Sequence, residues 1–147
     1  MNYYPFAIQL KNHRVLVIGA GEVALRKIQT LLHAHAQVVV IAPTAVTGIL
    51  SLSDEGKITL IRRNVECDDI QDARLIIAAT NNRDLNQQIS QWAHEQRILI
   101  NVVDDSAISD VISPAVIFKE KAIVAVYTDG KDPVLSRDLK RYLNEKW

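Results

Sequence analysis

The sequence is constrained most by a glycine-containing turn that joins an apolar strand to an amphipathic helix. Residues 14–18 form a short run with continuous apolar residues, which is typical of a strand buried on both faces of a sheet. The run ends in the spacing Gly19-x-Gly21-x-x-Ala24, and the apolar residues of segment 23–34 then recur at helical intervals. A second apolar run, residues 37–41, completes a strand–helix–strand unit, which predicts parallel strands and a right-handed crossover.

The three small residues of this turn predict a dinucleotide site. Gly19 permits the tight turn, Gly21 allows the backbone to approach a pyrophosphate, and Ala24 lets the helix pack closely against the strand. The N–H groups of the first helical turn and the helix dipole would then meet the negative charge of the phosphates. The alternative is a tight strand–helix turn in an α/β protein that binds no nucleotide.

One part of the usual dinucleotide pattern is missing. An acidic residue that binds the ribose is expected roughly 20 residues after the turn, but Ile41, Ala42, Pro43 and Thr44 occupy that place. The same four positions hold no arginine for a 2′-phosphate. We therefore expect ribose contacts from the backbone near Pro43 and from the Thr44 hydroxyl. Local chemistry leaves the choice between NAD and NADP open.

The alternation of strands and helices continues to residue 103. The further predicted elements are helices at 45–55 and 83–96 and strands at 58–62, 75–80 and 98–103. Such alternation is typical of the α/β class, here a Rossmann-like doubly wound parallel sheet. We assign the dinucleotide-binding domain to residues 1–113.

Residues 114–147 follow a different pattern. They predict strands at 115–118 and 122–128 and a last helix, in which Asp132 is the N-cap and Pro133 the first residue. This short β-β-α segment has too little core of its own. We therefore expect it to pack on another subunit or on the sheet.

Charge and composition argue against several classes of function. The 147 residues include 17 basic and 17 acidic side chains, so no overall positive charge attracts nucleic acid or a membrane surface. No apolar run approaches the roughly 20 residues that span a bilayer, and the pattern of a signal peptide is missing. The single cysteine, Cys67, fits a cytoplasmic protein. The histidines are not clustered, so we predict no metal site.

Polar residues lie at or after the carboxyl ends of two of the predicted strands, where ligands bind in such sheets. Thr80 and Asn81 follow one strand, Asn101 lies within the next, and Asp104 and Asp105 come after it. Asp104 is a candidate general base beside the cofactor. The alternative is that both acids are solvated turn residues.

Several motifs taken together are more specific than the glycine turn alone. They are Pro5-Phe6-x-x-x-Leu10, the run 15–24 followed by Arg26-Lys27, Ile77-Ala78-Ala79-Thr80-Asn81, Asn86, Asn101-Val102-Val103-Asp104, Pro114-Ala115-x-Ile117, Val124-Ala125-Val126 and Pro133-Val134-Leu135-Ser136. With these motifs the sequence resembles the precorrin-2 dehydrogenase family, which includes the N-terminal part of sirohaem synthases. The resemblance covers nearly all of the chain.

The resemblance implies an enzyme that oxidises precorrin-2 to sirohydrochlorin with NAD⁺. It implies that Asp104 is the catalytic carboxylate and that the chain forms a homodimer through the segment after the Rossmann domain. The cofactor contacts that we predict from the motif, the strand ends and the resemblance are Gly19, Gly21, Glu22, Val23, Ala24, Pro43, Thr44 and Thr80.

Two departures from the family pattern keep other functions open. Typical members carry a further helical region after this segment, whereas the sequence ends at Trp147. Their Gly-x-Ser-Pro turn is Gly130-Lys131-Asp132-Pro133 here. One alternative is therefore a module that binds a nucleotide or a tetrapyrrole without turnover. Another is a bifunctional enzyme that also inserts iron.

Overall fold

The computed structural model describes residues 2–129 and 131–147, and its central feature is a five-stranded parallel sheet. The strands follow one another in the spatial order β3-β2-β1-β4-β5. They are β1 (Arg14–Ile18), β2 (Gln37–Ile41), β3 (Thr59–Ile61), β4 (Leu75–Ala78) and β5 (Leu99–Val102). Three α-helices connect them, α1 (Glu22–His33), α2 (Thr47–Asp54) and α3 (Arg83–Glu95). The predicted Rossmann-like α/β sheet is confirmed.

The sheet is covered by helices on both faces. The chain passes from β1 through α1 to β2 in one direction and from β4 through α3 to β5 in the other. Right-handed crossovers in opposite directions place α1 and α3 on opposite faces. Ile100 and Val102 of β5 belong to the same buried cluster as Ile89 of α3. Because side chains alternate along a strand, Asn101 points to the face that α1 covers.

Most element ends lie within two residues of the predicted positions, and two short 3₁₀ helices were not predicted. One spans Cys67–Ile70, between β3 and β4, where the side chains of Glu66 and Asp69 cap each other's backbone N–H groups. Asp69 also accepts hydrogen bonds from Arg63 at 2.7 and 2.6 Å. The other spans Ser106–Ile108, in the segment expected to be a loop.

The second compact unit consists of Val111–Trp147 together with the N-terminal residues up to Phe6. It contains the antiparallel strands β6 (Ala115–Lys119) and β7 (Ala122–Val126) and the helix α4 (Pro133–Lys146). The Asp132 side chain accepts a hydrogen bond from the Leu135 N–H at 2.8 Å, which confirms the predicted N-cap. The preceding turn, Gly130-Lys131-Asp132-Pro133, includes Gly130, which lies outside the described residues.

Many large apolar side chains of this second unit are exposed to solvent. They are Tyr4, Phe6, Phe118, Ile123, Val134, Leu135, Leu139, Tyr142 and Trp147. Ile123 and Tyr142 are 69% and 57% exposed, respectively. Among the residues that the structure describes, no helix is both long and apolar enough to cross a bilayer.

Candidate active site

The glycine turn lies at the carboxyl edge of the sheet, between the ends of β2 and β4. The Gly19 N–H donates to the Ile41 carbonyl at 3.0 Å, and the Ala79 N–H donates to the Ile18 carbonyl at 2.8 Å. Gly19 has a φ of +102°, and a Cβ atom built there would lie 2.7 Å from the Ala79 carbonyl carbon and closer still to its oxygen. Glycine is therefore required at this position by both the backbone conformation and the neighbouring strand.

Gly21 meets a different environment, which suits a bound pyrophosphate. It is the N-cap of α1, with a φ of −89°, and no side chain caps the first turn of the helix. A Cβ atom built on Gly21 would meet no atom within 4 Å. No side chain therefore occupies the amide groups at this helix end, and only a residue without a side chain leaves the space beside Gly21 free for an anion. The residues present fit a dinucleotide phosphate.

The other predicted cofactor contacts surround this turn. Ala24 is fully buried under α1, as its packing role requires, whereas Glu22 is exposed and Val23 is half-buried. Pro43 and Thr44 are exposed immediately after β2, where a ribose would lie in such a sheet. These positions are consistent with the predicted cofactor contacts, which remain a prediction.

Thr80 is held in place by the buried Asn86 of α3. The carboxamide of Asn86 bonds to the Thr80 hydroxyl and donates to the Thr80 carbonyl at 3.0 Å. The same hydroxyl accepts a hydrogen bond from the Asn82 N–H at 3.2 Å. Thr80 therefore shapes the turn after β4, and its hydroxyl is already engaged within the protein. Its predicted contact with the cofactor remains a prediction.

A cavity of about 450 Å³ opens beside this turn. Its walls are the residues after β4, the first turn of α3 with Arg83 and Asn86, and residues 102–105 after β5. The cavity therefore brings Thr80 and Asn81 together with Asp104 and Asp105, as the sequence indicated, whereas Asn101 does not line it.

Asp104 and Asp105 differ in their engagement with the rest of the protein. The Asp105 carboxylate accepts a hydrogen bond from the Ala107 N–H at 3.2 Å and caps the 3₁₀ turn. Asp104 is exposed and has a φ of +63°, in the left-handed region, which aspartate tolerates better than most residues. Its carboxylate makes no hydrogen bond or ion pair with any described residue. Of the two acids, Asp104 is free to act on a ligand.

Lys27 of α1 lies close enough to Asp104 for the two charges to interact. Burial lowers the pKa of the Lys27 ammonium below the ordinary lysine value of 10.5, the negative charge of Asp104 partly reverses this, and the neighbouring Arg26 lowers the pKa further. This juxtaposition was missed by sequence analysis, because the two residues are far apart in the chain and only tertiary packing brings them near each other.

Comparison with known proteins identifies the unit that contains the parallel sheet, Ala7–Asp110, as a nucleotide-binding module. A family model described as "Putative NAD(P)-binding" matches residues 6–115. Among solved structures, "SirC, precorrin-2 dehydrogenase" superposes with a TM-score of 0.82 over 99% of this chain and 71% of that chain, at 27% identity. The apo structure of D-lactate dehydrogenase from Escherichia coli has a TM-score of 0.51 at 13% identity and shares the fold alone.

Curated relatives with similar sequences carry the name siroheme synthase. The proteins from Actinobacillus pleuropneumoniae serotype 3 and Methylococcus capsulatus are 41% and 42% identical over 143 and 140 residues. These alignments cover 97% and 95% of this chain but only 29% and 30% of the relatives. The chain thus spans less than a third of the length of the relatives that it matches.

Proposed function

Since the chain belongs to the NAD(P)-binding family whose model it matches over residues 6–115, we propose that it is an NAD⁺-dependent precorrin-2 dehydrogenase. The observation that carries this proposal is the unengaged carboxylate of Asp104, which lines a cavity at the carboxyl edge of the sheet. The similarity to the solved precorrin-2 dehydrogenase and to the siroheme synthases supports the choice of substrate. The product is sirohydrochlorin.

The cofactor site in this proposal is the turn that begins at Gly19. The N–H groups at the start of α1 bind the pyrophosphate over the open face of Gly21, and Glu22 and Val23 line the same turn. Pro43 and Thr44 contact the ribose, and Thr80 lies on the other side of the turn. When bound, NAD⁺ supplies the acceptor for the hydride that the substrate loses.

Asp104 accepts the proton that accompanies this oxidation. Conversion of precorrin-2 to sirohydrochlorin removes two electrons and two protons in total, one proton of which leaves with the electron pair as hydride. The remaining proton goes to a base, and the Asp104 carboxylate stands free at the cavity for this purpose. Asp105 is engaged in its own 3₁₀ turn and only shapes the backbone that presents Asp104.

The test is formation of NADH when the protein, NAD⁺ and precorrin-2 are mixed without oxygen. Asp104→Asn keeps the shape of the side chain but removes the base, so we expect single-turnover rates to fall by about 10²–10⁴-fold. Binding of NAD⁺, measured by calorimetry, should be retained in this variant. Asp105→Asn is the matched control and should lose much less activity.

Two outcomes would contradict the proposal. If the wild-type protein forms no NADH but binds NAD⁺ and sirohydrochlorin, it is a binding module without turnover. If Asp104→Asn turns over at nearly the wild-type rate, Asp104 is a turn residue and another group accepts the proton.

The exposed apolar side chains of the second unit support a homodimer formed through residues 114–147. So many exposed large apolar side chains in one small unit are uncommon on monomeric proteins, and such side chains are often covered in interfaces. Light scattering should therefore report twice the chain mass at micromolar concentration. Ile123→Lys should weaken association, since Ile123 is 69% exposed on β7. The control Glu120→Lys changes charge in the β6–β7 turn without removing an apolar group. A monomeric wild-type protein would contradict this part of the proposal.

A further inference from the structure

The proposed function leaves the adjacent cations Arg26 and Lys27 without a role. Both belong to the motif that follows the glycine turn, but α1 presents them differently. Arg26 is exposed, whereas Lys27 is half-buried. A half-buried ammonium group has lost part of its hydration, which costs free energy unless a partner replaces the water.

The protein compensates Lys27 only in part, through the nearby charge of Asp104. The Lys27 side chain makes no hydrogen bond or ion pair with the described residues. Other lysines differ: Lys57 pairs with Glu55 and Lys131 with Asp129 at 3.2 Å. A partly desolvated charge without a bonded partner, close to an exposed carboxylate at the edge of the sheet, is typical of a site that binds a charged ligand.

The geometry of α1 directs Lys27 toward the proposed site. In a strand–helix–strand unit with parallel strands, α1 runs back from the carboxyl edge of the sheet, and side chains on a helix lean toward its N-terminus. The Lys27 side chain therefore leans toward the carboxyl edge. The negative charge of Asp104, just after β5, interacts with the Lys27 ammonium. Asn101 of β5 is buried on the face of the sheet that α1 covers.

We propose that Lys27 binds a carboxylate group of the substrate on the α1 side of Asp104. This inference rests on the proposed function, because precorrin-2 carries many carboxylate side chains. The ammonium of Lys27 holds one of them, and the carbon framework of the substrate then lies against the Asp104 carboxylate. Lys27 thus binds the anionic substituent of the substrate, and Asp104 accepts the proton.

The test measures binding of sirohydrochlorin, which retains the carboxylates of the substrate, by absorbance titration of the full chain with NAD⁺. Lys27→Met should weaken binding by about ten- to a hundredfold, the range for loss of a charged hydrogen bond. Lys27→Arg should recover most of the affinity. Lys57→Met makes the same change in an exposed lysine that precedes β3 at the opposite edge of the sheet, and should have no effect.

The pH dependence gives a readout that a purely structural role would not produce. Lysine binds an anion in its protonated form, so affinity should fall as the pH rises through the lowered pKa of Lys27. The charged groups that act on Lys27 are Asp104 and Arg26. In Lys27→Arg the fall should disappear, because arginine stays protonated.

The possible results separate this inference from the proposed function. If wild-type protein forms NADH and Lys27→Met binds sirohydrochlorin as tightly as wild type, Lys27 is no ligand-binding residue, and only this inference is overturned. If wild-type protein neither binds sirohydrochlorin nor forms NADH, both are overturned. Weaker binding in Lys27→Met with unchanged thermal stability and rescue by arginine supports the inference.

Discussion

Two glycines of the same turn should fail for different reasons when each is replaced by alanine. In Gly19→Ala the new methyl group would overlap the backbone of Ala79, and the φ of +102° would be strained for any L side chain. In Gly21→Ala the methyl group would enter open space from a residue with an ordinary φ of −89°. The first change should therefore damage the fold, and the second should damage only binding of the cofactor.

The magnitudes follow from these contacts. A non-glycine residue in a disallowed region costs about 1–3 kcal/mol, and forced overpacking against a rigid backbone costs about 1–3 kcal/mol more. Gly19→Ala should thus lose about 2–6 kcal/mol, a large part of the roughly 5–15 kcal/mol that stabilises a typical protein. Gly21→Ala changes only an N-cap residue and should lose less than about 1 kcal/mol.

Chemical denaturation followed by circular dichroism measures the first effect, and calorimetric titration with NAD⁺ measures the second. We expect Gly21→Ala to unfold almost as wild type does but to bind NAD⁺ at least about tenfold more weakly, since at least one charged hydrogen bond is lost. Gly21→Asp should bind still more weakly, because its carboxylate repels the pyrophosphate.

The reasoning would be refuted by either of two results. Equal stability of Gly19→Ala and wild type would mean that the turn can move away from β4. Wild-type affinity for NAD⁺ in Gly21→Asp would mean that the pyrophosphate does not approach this residue.

Three further predictions concern stability, and urea denaturation checks each of them. Arg97, just after α3, has a φ of +57°. The left-handed backbone conformation costs a residue with a side chain about 1–2 kcal/mol, and the greater conformational entropy of glycine in the unfolded chain offsets part of the gain from removing that cost. Arg97→Gly should therefore stabilise the protein by up to about 1 kcal/mol, and a loss of stability would contradict this. The Arg63 side chain donates hydrogen bonds to Asp69 and lowers the pKa of the Asp69 carboxyl group below its ordinary value of 3.8. The stabilisation of the folded protein by this pair is therefore fully present above pH 3.8 and is lost as the pH falls through the lowered pKa. The stability difference between wild type and Asp69→Asn should therefore shrink in acid, and a constant difference would argue against the pair. Asn86→Ala removes the bonds that hold Thr80 and should cost about 1–3 kcal/mol, unlike the exposed control Gln87→Ala.

Sequence reasoning succeeded where one local signal determines the structure. The strands β1 and β2 have the predicted bounds, because each is an apolar run that ends at a residue with strong turn preference, Gly19 or Pro43. The cap of α4 at Asp132 was predicted for the same reason. In each case the deciding interactions lie within a few residues of one another.

Features that depend on tertiary contacts were missed. The 3₁₀ helix at Cys67–Ile70 lacks apolar periodicity and is held by hydrogen bonds of Asp69 to Glu66 and Arg63. The local residue pattern alone does not distinguish Asp104 from Asp105; the family resemblance singled out Asp104, and only the structure shows that Asp105 caps a turn. The approach of Lys27 to Asp104 likewise depends on how α1 crosses the sheet.

The outer edge of β5 is closed by the chain that follows it. The Val102 N–H donates to the Ser109 hydroxyl at 2.8 Å, the Ile100 N–H donates to the Asp110 carboxylate at 3.2 Å, and the Asp110 N–H donates to the Ile100 carbonyl at 2.9 Å. An incoming strand would have to displace these bonds before it could pair with β5. The sheet is thereby protected on this side against growth into cross-β aggregates, and Ser109 and Asp110 provide this protection.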